Sequence, residues 1–205
     1  LTVKQNKAGQ WFAVFSCGLP DTKFIHSNPN NKVGIDVGLE NFATLSNGEI
    51  ITNPRYLIKS ESRLKLLHRR VSRKVKGSAN RRKARTRLSK LYERVANQRS
   101  DFLHKWSRNL VTRFDTIAVE KLNIKNLIHD NYLAKHINDA SWNNFISMLS
   151  YKAVTSGGQL VKVNPRGTSM ACSKCGHIQD MPLAIREFVC VSCGFVSHRD
   201  LNSSY

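Results

Sequence analysis

Short apolar runs separated by turns open the chain and predict a series of strands. Leu1–Gln5 and Gln10–Cys17 form a first pair around a glycine-containing turn, before a polar, turn-rich linker. Lys32–Val37, Asn41–Ser46 and Glu49–Thr52 predict three more strands, the last two joined by an Asn-Gly turn of the kind that hairpins prefer. We therefore expect the first quarter of the chain to be β-structure.

From about residue 59, apolar residues recur at steps of three and four, which indicates helices. One break, around Gly77, divides this region into Lys59–Val75 and Ala79–Arg113. The pattern predicts a hairpin of two helices, whose apolar positions include Leu64, Leu67, Val71, Leu88, Leu91, Val95, Phe102, Trp106 and Leu110.

The remainder of the chain alternates strands with helices. Phe114–Leu122 and Gln159–Val163 predict strands, and Ser141 predicts the N-cap of a helix between them that ends at Gly157. Ile124–Ile137 is expected to be a loop or a short helix. Strand, helix and strand in this order suit a crossover between parallel strands. The predicted fold class is therefore α/β, with a mixed sheet into which a helical hairpin is inserted.

Basic residues outnumber acidic ones. The chain has 33 Lys and Arg against 14 Asp and Glu, a net charge of +19, which points to a polyanion, nucleic acid more often than an acidic membrane surface. Between Glu61 and Arg113, 18 basic residues stand against three acids, so the hairpin alone carries +15. Solvated helix faces usually mix both signs, so phosphate contact is the better interpretation. The expected contact residues are Arg69, Arg70, Arg73, Lys74, Arg81, Arg82, Lys83, Arg85 and Arg87.

Two Cys-x-x-Cys pairs lie near the end of the chain. Cys172 and Cys175 are separated from Cys190 and Cys193 by fourteen residues, and a glycine follows each pair. Four thiolates at this spacing predict one tetrahedral, structural zinc ion. A redox pair or chance spacing are the alternatives, and both fit two paired knuckles poorly. With no apolar run long enough to cross a bilayer and no signal peptide at the first residue, we expect an intracellular protein without a membrane partner.

Three carboxylates stand where strands end or the last helix begins. Asp36 lies near the end of an apolar strand, Glu120 ends the strand around Val119, and Asp200 opens the final helix. A buried carboxylate is costly unless it is paired or binds a metal. If the strands of Asp36 and Glu120 are neighbours, their side chains meet at one edge of the sheet, where carboxylates suit Mg²⁺. Each acid alone has a simpler explanation as a turn residue or helix cap, and the rival acids are Glu40, Glu49, Asp115 and Asp139.

This pattern resembles the RuvC-like branch of the RNase H fold and, with a cysteine ribbon before the last acid, the TnpB (OrfB) family of insertion-sequence-encoded, RNA-guided nucleases, relatives of type V CRISPR effectors. Leu1–Cys17 resembles the end of the family's β-rich wedge domain. The other matching stretches are Gly34–Ser46, Ala118–Leu127, Ser141–Ala153, Val163–Gly176, Phe188–Gly194 and His198–Asn202.

The resemblance implies an RNA-guided DNA endonuclease of a prokaryotic cytoplasm or nucleoid. Asp36, Glu120 and Asp200 would hold two Mg²⁺, and guide RNA and target DNA would be the partners. Thr168 and Ser169 stand at a family-typical place before the first cysteine pair, where contact with the cleaved strand and a plain turn or N-cap are the alternatives. The implied domains are a wedge-like end and linker at residues 1–31, a nuclease core at 32–167 with its insert at 59–113, a zinc ribbon at 168–197, and a truncated final nuclease segment at 198–205.

The chain departs from the family pattern in two places. The family usually has a longer amino-terminal half, so we expect this chain to be a C-terminal portion. Its last motif is usually Asp-Arg-Asp followed by Asn-Ala-Ala, whereas here His198 and Ser203-Ser204 replace three of those residues. The alternatives are a nuclease-inactive or decayed nucleic-acid-binding relative, acting as a guided repressor or transposition accessory, and a DDE-type transposase, although its usual Asp, Asp, Glu order differs. No feature predicts the oligomeric state.

Overall fold

The computed structural model describes residues 1–18, 30–123, 131–164, 167, 170–182 and 185–205. The chain divides into two compact units. One comprises Leu1–Lys23 with Arg55–Phe102, and the other Phe24–Pro54 with Leu103–Tyr205. Neither unit is continuous in sequence, because the first contains most of the helical hairpin and the second contains the elements before and after it.

The first unit contains a β-hairpin, one helix and the larger part of a second helix. Strands β1 (Thr2–Gln5) and β2 (Trp11–Val14) pair antiparallel around a turn. In that turn the side chain of Asn6 accepts hydrogen bonds from the backbone N–H groups of Ala8 and Gln10 at 3.0 and 2.9 Å. This bonding explains why an Asn-containing, glycine-containing stretch separates the two apolar runs.

Helices α1 (Tyr56–Ser72) and α2 (Ala79–Arg113) confirm the predicted hairpin. Tyr56 meets Phe102 edge to face, with ring centroids 6.4 Å apart, and His68 hydrogen-bonds the Tyr92 hydroxyl at 2.7 Å, so the helices run antiparallel side by side. The hydroxyl of Ser78 accepts from the Arg81 N–H at 3.1 Å and caps the start of α2. The start of α1 was predicted at Lys59, whereas the helix begins three residues earlier, at Tyr56. It begins there because Arg55, which precedes it, is left-handed and interrupts the helical backbone.

The second unit is built on a five-stranded mixed sheet in the order β5-β4-β3-β6-β7. Strands β3, β4 and β5 pair antiparallel, whereas β3, β6 and β7 pair parallel. The bounds are β3 Lys32–Val37, β4 Asn41–Leu45, β5 Ile50–Thr52, β6 Thr116–Glu120 and β7 Gln159–Val163. The parallel pairing of β6 with β7 confirms the predicted crossover.

Two helices, α3 (Asn131–Ala140) and α4 (Trp142–Thr155), lie in that crossover. Phe145 of α4 packs edge to face on Phe42 of β4, with ring centroids 5.0 Å apart. Ser141 occupies the predicted N-cap position of α4, but its side chain does not cap that helix: the residue is left-handed (φ 55°) and its hydroxyl instead donates to the Asn138 carbonyl at 2.9 Å. The reason is that α3 ends directly against α4, so the hydroxyl caps the preceding helix.

The four-cysteine segment forms a small ribbon of its own. Strands β8 (Glu187–Val189) and β9 (Val196–His198) pair antiparallel, and helix α5 (Arg199–Ser204) follows at once. The ribbon's core consists of Phe188 with two of the cysteines, against which Met181 and Phe195 pack. The predicted fold class, an RNase H-like mixed sheet with a helical insert and a four-cysteine ribbon, is confirmed. Within the described residues, no helix is long and apolar enough to cross a membrane.

Candidate catalytic and metal sites

The parallel pairing of β3 with β6 places Asp36 next to Glu120. Gly34 pairs with Ala118 and Ile35 with Val119, so the same register carried one residue further sets the two acids side by side. On the other side of β3, Asp36 is paired with the buried Thr44 of β4. Side chains alternate along a strand, so Asp36 lies on the face opposite the buried Ile35.

The final helix brings the third acid to the same place. Helix α5 contacts β3 and β4, and a Cβ added at Gly34 would overlap the carbonyl group of Ser204. Only glycine at that position lets the helix backbone lie this close to the strand. Gly34 and Asp36 lie on the same face of β3, so α5 packs on the face that carries the acids. Asp200, in the first turn of α5, therefore lies near Asp36 and Glu120.

The other two acids act electrostatically on Asp36. Burial, followed by the negative charges of Glu120 and Asp200, raises the pKa of Asp36 from 3.8 to about 7, against a smaller opposing effect of Arg199. Ionisation of this carboxyl is unfavourable because the negative charge is buried and is repelled by the neighbouring acids. A divalent cation bound there would offset both costs. The predicted acids are thus brought together, although they do not form a cluster as close as that of the cysteines.

An arginine from the ribbon stands beside this site. The Arg186 guanidinium lies 3.8 Å from an Asp200 carboxylate oxygen and 3.5 Å from one of Glu40. Its backbone carbonyl accepts from the Arg199 N–H at 2.7 Å. Sequence spacing did not point to Arg186, because the partners of this side chain come from other segments of the chain.

Two of the rival acids, Glu49 and Asp115, have other partners. Glu49 forms a bidentate pair with Arg113, with nitrogen–oxygen distances of 3.2 and 2.7 Å, and this arginine lowers its pKa. The Asp115 carboxylate accepts from the Asn30 N–H at 3.3 Å. Neither acid influences the pKa of Asp36, so the structure separates them from the group around that residue.

The four cysteine sulfurs all lie within 4.8 Å of one another. Cys172 and Cys193 are 3.7 Å apart and Cys175 and Cys190 are 3.6 Å apart, from Sγ to Sγ. Four sulfurs at the zinc–sulfur bond length of about 2.3 Å and tetrahedral angles are about 3.8 Å apart. These two distances therefore fit a single zinc ion. Among the described residues, these four cysteines are the group of metal-ligating side chains whose ligand atoms lie close enough together to hold a metal ion.

Each knuckle is held by the same backbone bonds. The Gly176 N–H donates to the Cys172 carbonyl at 2.8 Å, and the Gly194 N–H donates to the Cys190 carbonyl at 2.9 Å. Both glycines have left-handed φ values, 74° and 68°, which explains the glycine after each pair.

The pKa values of two of the thiols, Cys190 and Cys193, are shifted in opposite directions. Burial raises the pKa of the Cys190 thiol, yet hydrogen bonds from the backbone N–H groups of Cys193 and Ser192 and from the Cys193 and Cys175 side chains outweigh that effect and lower it to about 6. For Cys193, the Phe195 N–H lowers the pKa, but burial and the neighbouring thiols raise it above its usual value.

The expected phosphate-contacting residues lie along α1, the connection after it and α2. Eight of the nine are exposed and Arg81 is half-buried, with its guanidinium donating to the Lys74 carbonyl at 3.2 Å. Arg70 and Arg87 line one groove between the helices with further cations, together with Arg63, Lys90 and Arg94. Thr168 and Ser169 lie outside the described residues.

Comparison with known proteins decides the family. The model of the OrfB_IS605 family, described as "Probable transposase", matches residues 22–130, more than half of the chain. The chain belongs to the OrfB family. A second model, the TNB domain of Cas12f1-like proteins, matches residues 142–205, which include the ribbon and the last helix.

The relatives of this OrfB chain are longer. A Streptomyces pristinaespiralis protein named "Putative RNA-guided DNA endonuclease" is 40% identical over 100% of the chain and 50% of its own length. A "TnpB-like protein L79" of Acanthamoeba polyphaga mimivirus is 30% identical over 89% of the chain and 38% of its own length. The chain thus spans about half or less of these relatives and covers their C-terminal part.

A solved structure shares the fold. The cryo-EM structure of a Cas12f1-sgRNA-target DNA complex matches 98% of this chain and 54% of that protein, with a TM-score of 0.60 at 20% identity. At that identity the likeness shows the fold alone.

Proposed function

We propose that this OrfB chain is the nuclease-bearing part of an RNA-guided DNA endonuclease that hydrolyses phosphodiesters with two Mg²⁺. The observation that carries the proposal is the convergence of Asp36, Glu120 and Asp200, where burial and the two neighbouring negative charges raise the pKa of Asp36 to about 7. Catalytic sites are where burial and like charges shift pKa values in this way. The names of the relatives add independent support for the reaction.

The chain's own residues supply the geometry of the reaction. Asp36 and Glu120 extend from adjacent strands of one rigid sheet, and Asp200 reaches them from the helix that crosses Gly34. Two divalent ions held by these three carboxylates would activate a water and stabilise the leaving oxygen. Because the Asp36 carboxyl gives up its proton when a cation binds, the apparent Mg²⁺ affinity is expected to rise with pH up to about 7.

The ribbon and the helical hairpin take supporting parts in the proposal. Cys172, Cys175, Cys190 and Cys193 hold one structural zinc, which the sulfur spacing fits. The groove lined by Arg70 and Arg87 binds the phosphates of guide RNA or of the guide–target duplex. The protein acts in a prokaryotic cytoplasm or nucleoid. Thr168 and Ser169 contact the cleaved strand.

The experiment is DNA cleavage by the chain purified with its bound RNA, supplied with Mg²⁺ and a DNA that matches this RNA. Asp36→Ala is expected to abolish cleavage, and Asp180→Ala, which removes an exposed acid of the ribbon, is expected to leave it unchanged. Cleavage that survives Asp36→Ala would contradict the catalytic assignment. RNA-dependent binding of the matched DNA without cleavage by any form would favour the nuclease-inactive relative.

A further inference from the structure

The side chain of Asn202 joins the ribbon to the last helix. It is 3% exposed. Its Oδ1 accepts from the Ser173 N–H at 2.9 Å, and its Nδ2 donates to the Ala171 carbonyl at 2.7 Å. These two bonds bracket Cys172, which belongs to the four-cysteine group. Both polar ends of the amide are thus satisfied by the backbone on either side of one cysteine.

The same helix fixes Asp200. Successive helical residues are rotated by about 100°, so Asn202 and Asp200, two positions apart, lie on nearly opposite sides of α5. The side of α5 that carries Asn202 therefore faces the first cysteine pair, while the side that carries Asp200 faces Asp36. The contact of Ser204 with Gly34 removes freedom for the helix to move toward β3.

We propose that Asn202 is a positioning residue that couples the four-cysteine site to the carboxylate site. The coupling rests on the proposed function, in which those sites hold zinc and a divalent cation. A metal that fixes the four sulfurs fixes the backbone at Ala171 and Ser173, and the Asn202 amide transmits that order to the helix that carries Asp200. Because coupling between two binding sites is reciprocal, a divalent cation at the carboxylates also tightens zinc binding at the cysteines.

The first measurement is the affinity of the zinc-loaded 205-residue chain for Mn²⁺, determined by electron paramagnetic resonance of free Mn²⁺. Asn202→Ala is expected to weaken Mn²⁺ binding by about fivefold or more, the lower end of typical coupling between sites. Ser204→Ala is the matched control, since it removes a buried hydroxyl that donates to the Leu201 carbonyl at 2.7 Å within the same helix and keeps the backbone carbonyl that lies against Gly34. The control is expected to bind Mn²⁺ as the unchanged chain does.

The second measurement needs no substitution in its main arm. Zinc retention against a chromophoric chelator is compared with and without Mg²⁺. Mg²⁺ is expected to increase retention about fivefold or more in the unchanged chain and to have no effect in Asn202→Ala. This readout does not involve cleavage, and it reports on the unchanged chain even if Asn202→Ala folds poorly.

The outcomes separate the two proposals. If Asp36→Ala abolishes Mn²⁺ binding while Asn202→Ala binds Mn²⁺ normally and Mg²⁺ leaves zinc retention unchanged, the coupling is overturned and the proposed nuclease site stands. If Asp36→Ala binds Mn²⁺ as tightly as the unchanged chain, the carboxylate site itself is wrong and the coupling falls with it.

Discussion

Replacing Asp36 with asparagine should stabilise the metal-free chain at neutral pH, although Asp36 is the acid most central to the candidate site. The raised pKa means that the folded chain holds the Asp36 proton up to about pH 7, whereas the unfolded chain releases it near pH 3.8. The unfolded state therefore binds fewer protons between these values, and folding stability falls as pH rises through that window. Asparagine has nearly the same shape and no charge to bury.

The magnitude follows from the two pKa values. Each pH unit between them corresponds to about 1.36 kcal/mol, so the ionised Asp36 costs up to about 4 kcal/mol above pH 7. The difference in free energy of unfolding between Asp36→Asn and the unchanged chain is expected to be small near pH 4 and to approach that value near pH 8. Mg²⁺ at 100 times its Kd should then stabilise the unchanged chain by about 2.7 kcal/mol and the variant by much less.

Urea denaturation at a series of pH values, in buffer freed of divalent ions other than bound zinc, measures this difference. Comparing the two chains at each pH cancels effects on the cysteines that both share. The reasoning would be refuted if Asp36→Asn destabilised the chain at pH 7.5, as removal of a structural hydrogen bond does. A difference that did not change with pH would refute it equally.

Three further changes test other parts of the structure. Gly34→Ala is expected to cost about 1–3 kcal/mol in urea denaturation, because its Cβ would overlap the last helix, and an unchanged midpoint would contradict that packing. Cys190→Ser should lower the bound zinc, measured by elemental mass spectrometry, from one per chain to none, whereas Cys17→Ser should retain one. RNA affinity should fall steeply with salt, and replacing Arg70 and Arg87 with glutamine should reduce the slope of log K against log salt by about 0.7 for each phosphate that is no longer neutralised. A flat plot for the unchanged chain would exclude phosphate binding by the hairpin.

Local chemistry was enough to locate most elements from the sequence. Strands β3 and β7 have the predicted bounds, and helix α2 runs over the predicted residues, because a buried apolar run and a three- and four-residue spacing are local properties. The cysteine group was equally predictable, since ligand spacing and the following glycines specify the knuckles. Element ends were less predictable, as Ser141 shows, because its partner depends on the neighbouring helix.

Long-range contacts at the candidate site were not predictable from the sequence. Asp36 and Glu120 were expected to meet on the condition that their strands are neighbours. The sequence does not show whether that condition holds, because strand order depends on pairing across the whole sheet. The bonds of Asn202 to the ribbon cross 29 and 31 residues of sequence, and those residues carry no pattern that connects them. The close approach of the last helix to Gly34 likewise joins residues far apart in sequence, and no local pattern around Gly34 indicates it.

The location of bound Mn²⁺ tests the central claim most directly. In crystals of the chain soaked with Mn²⁺, anomalous scattering at the manganese and zinc edges distinguishes the two metals. We predict manganese peaks among Asp36, Glu120 and Asp200, about 4 Å apart if two ions bind, and one zinc peak at the four cysteines. Manganese bound elsewhere, with none at these three acids, would contradict the assignment of this sheet edge as the catalytic centre.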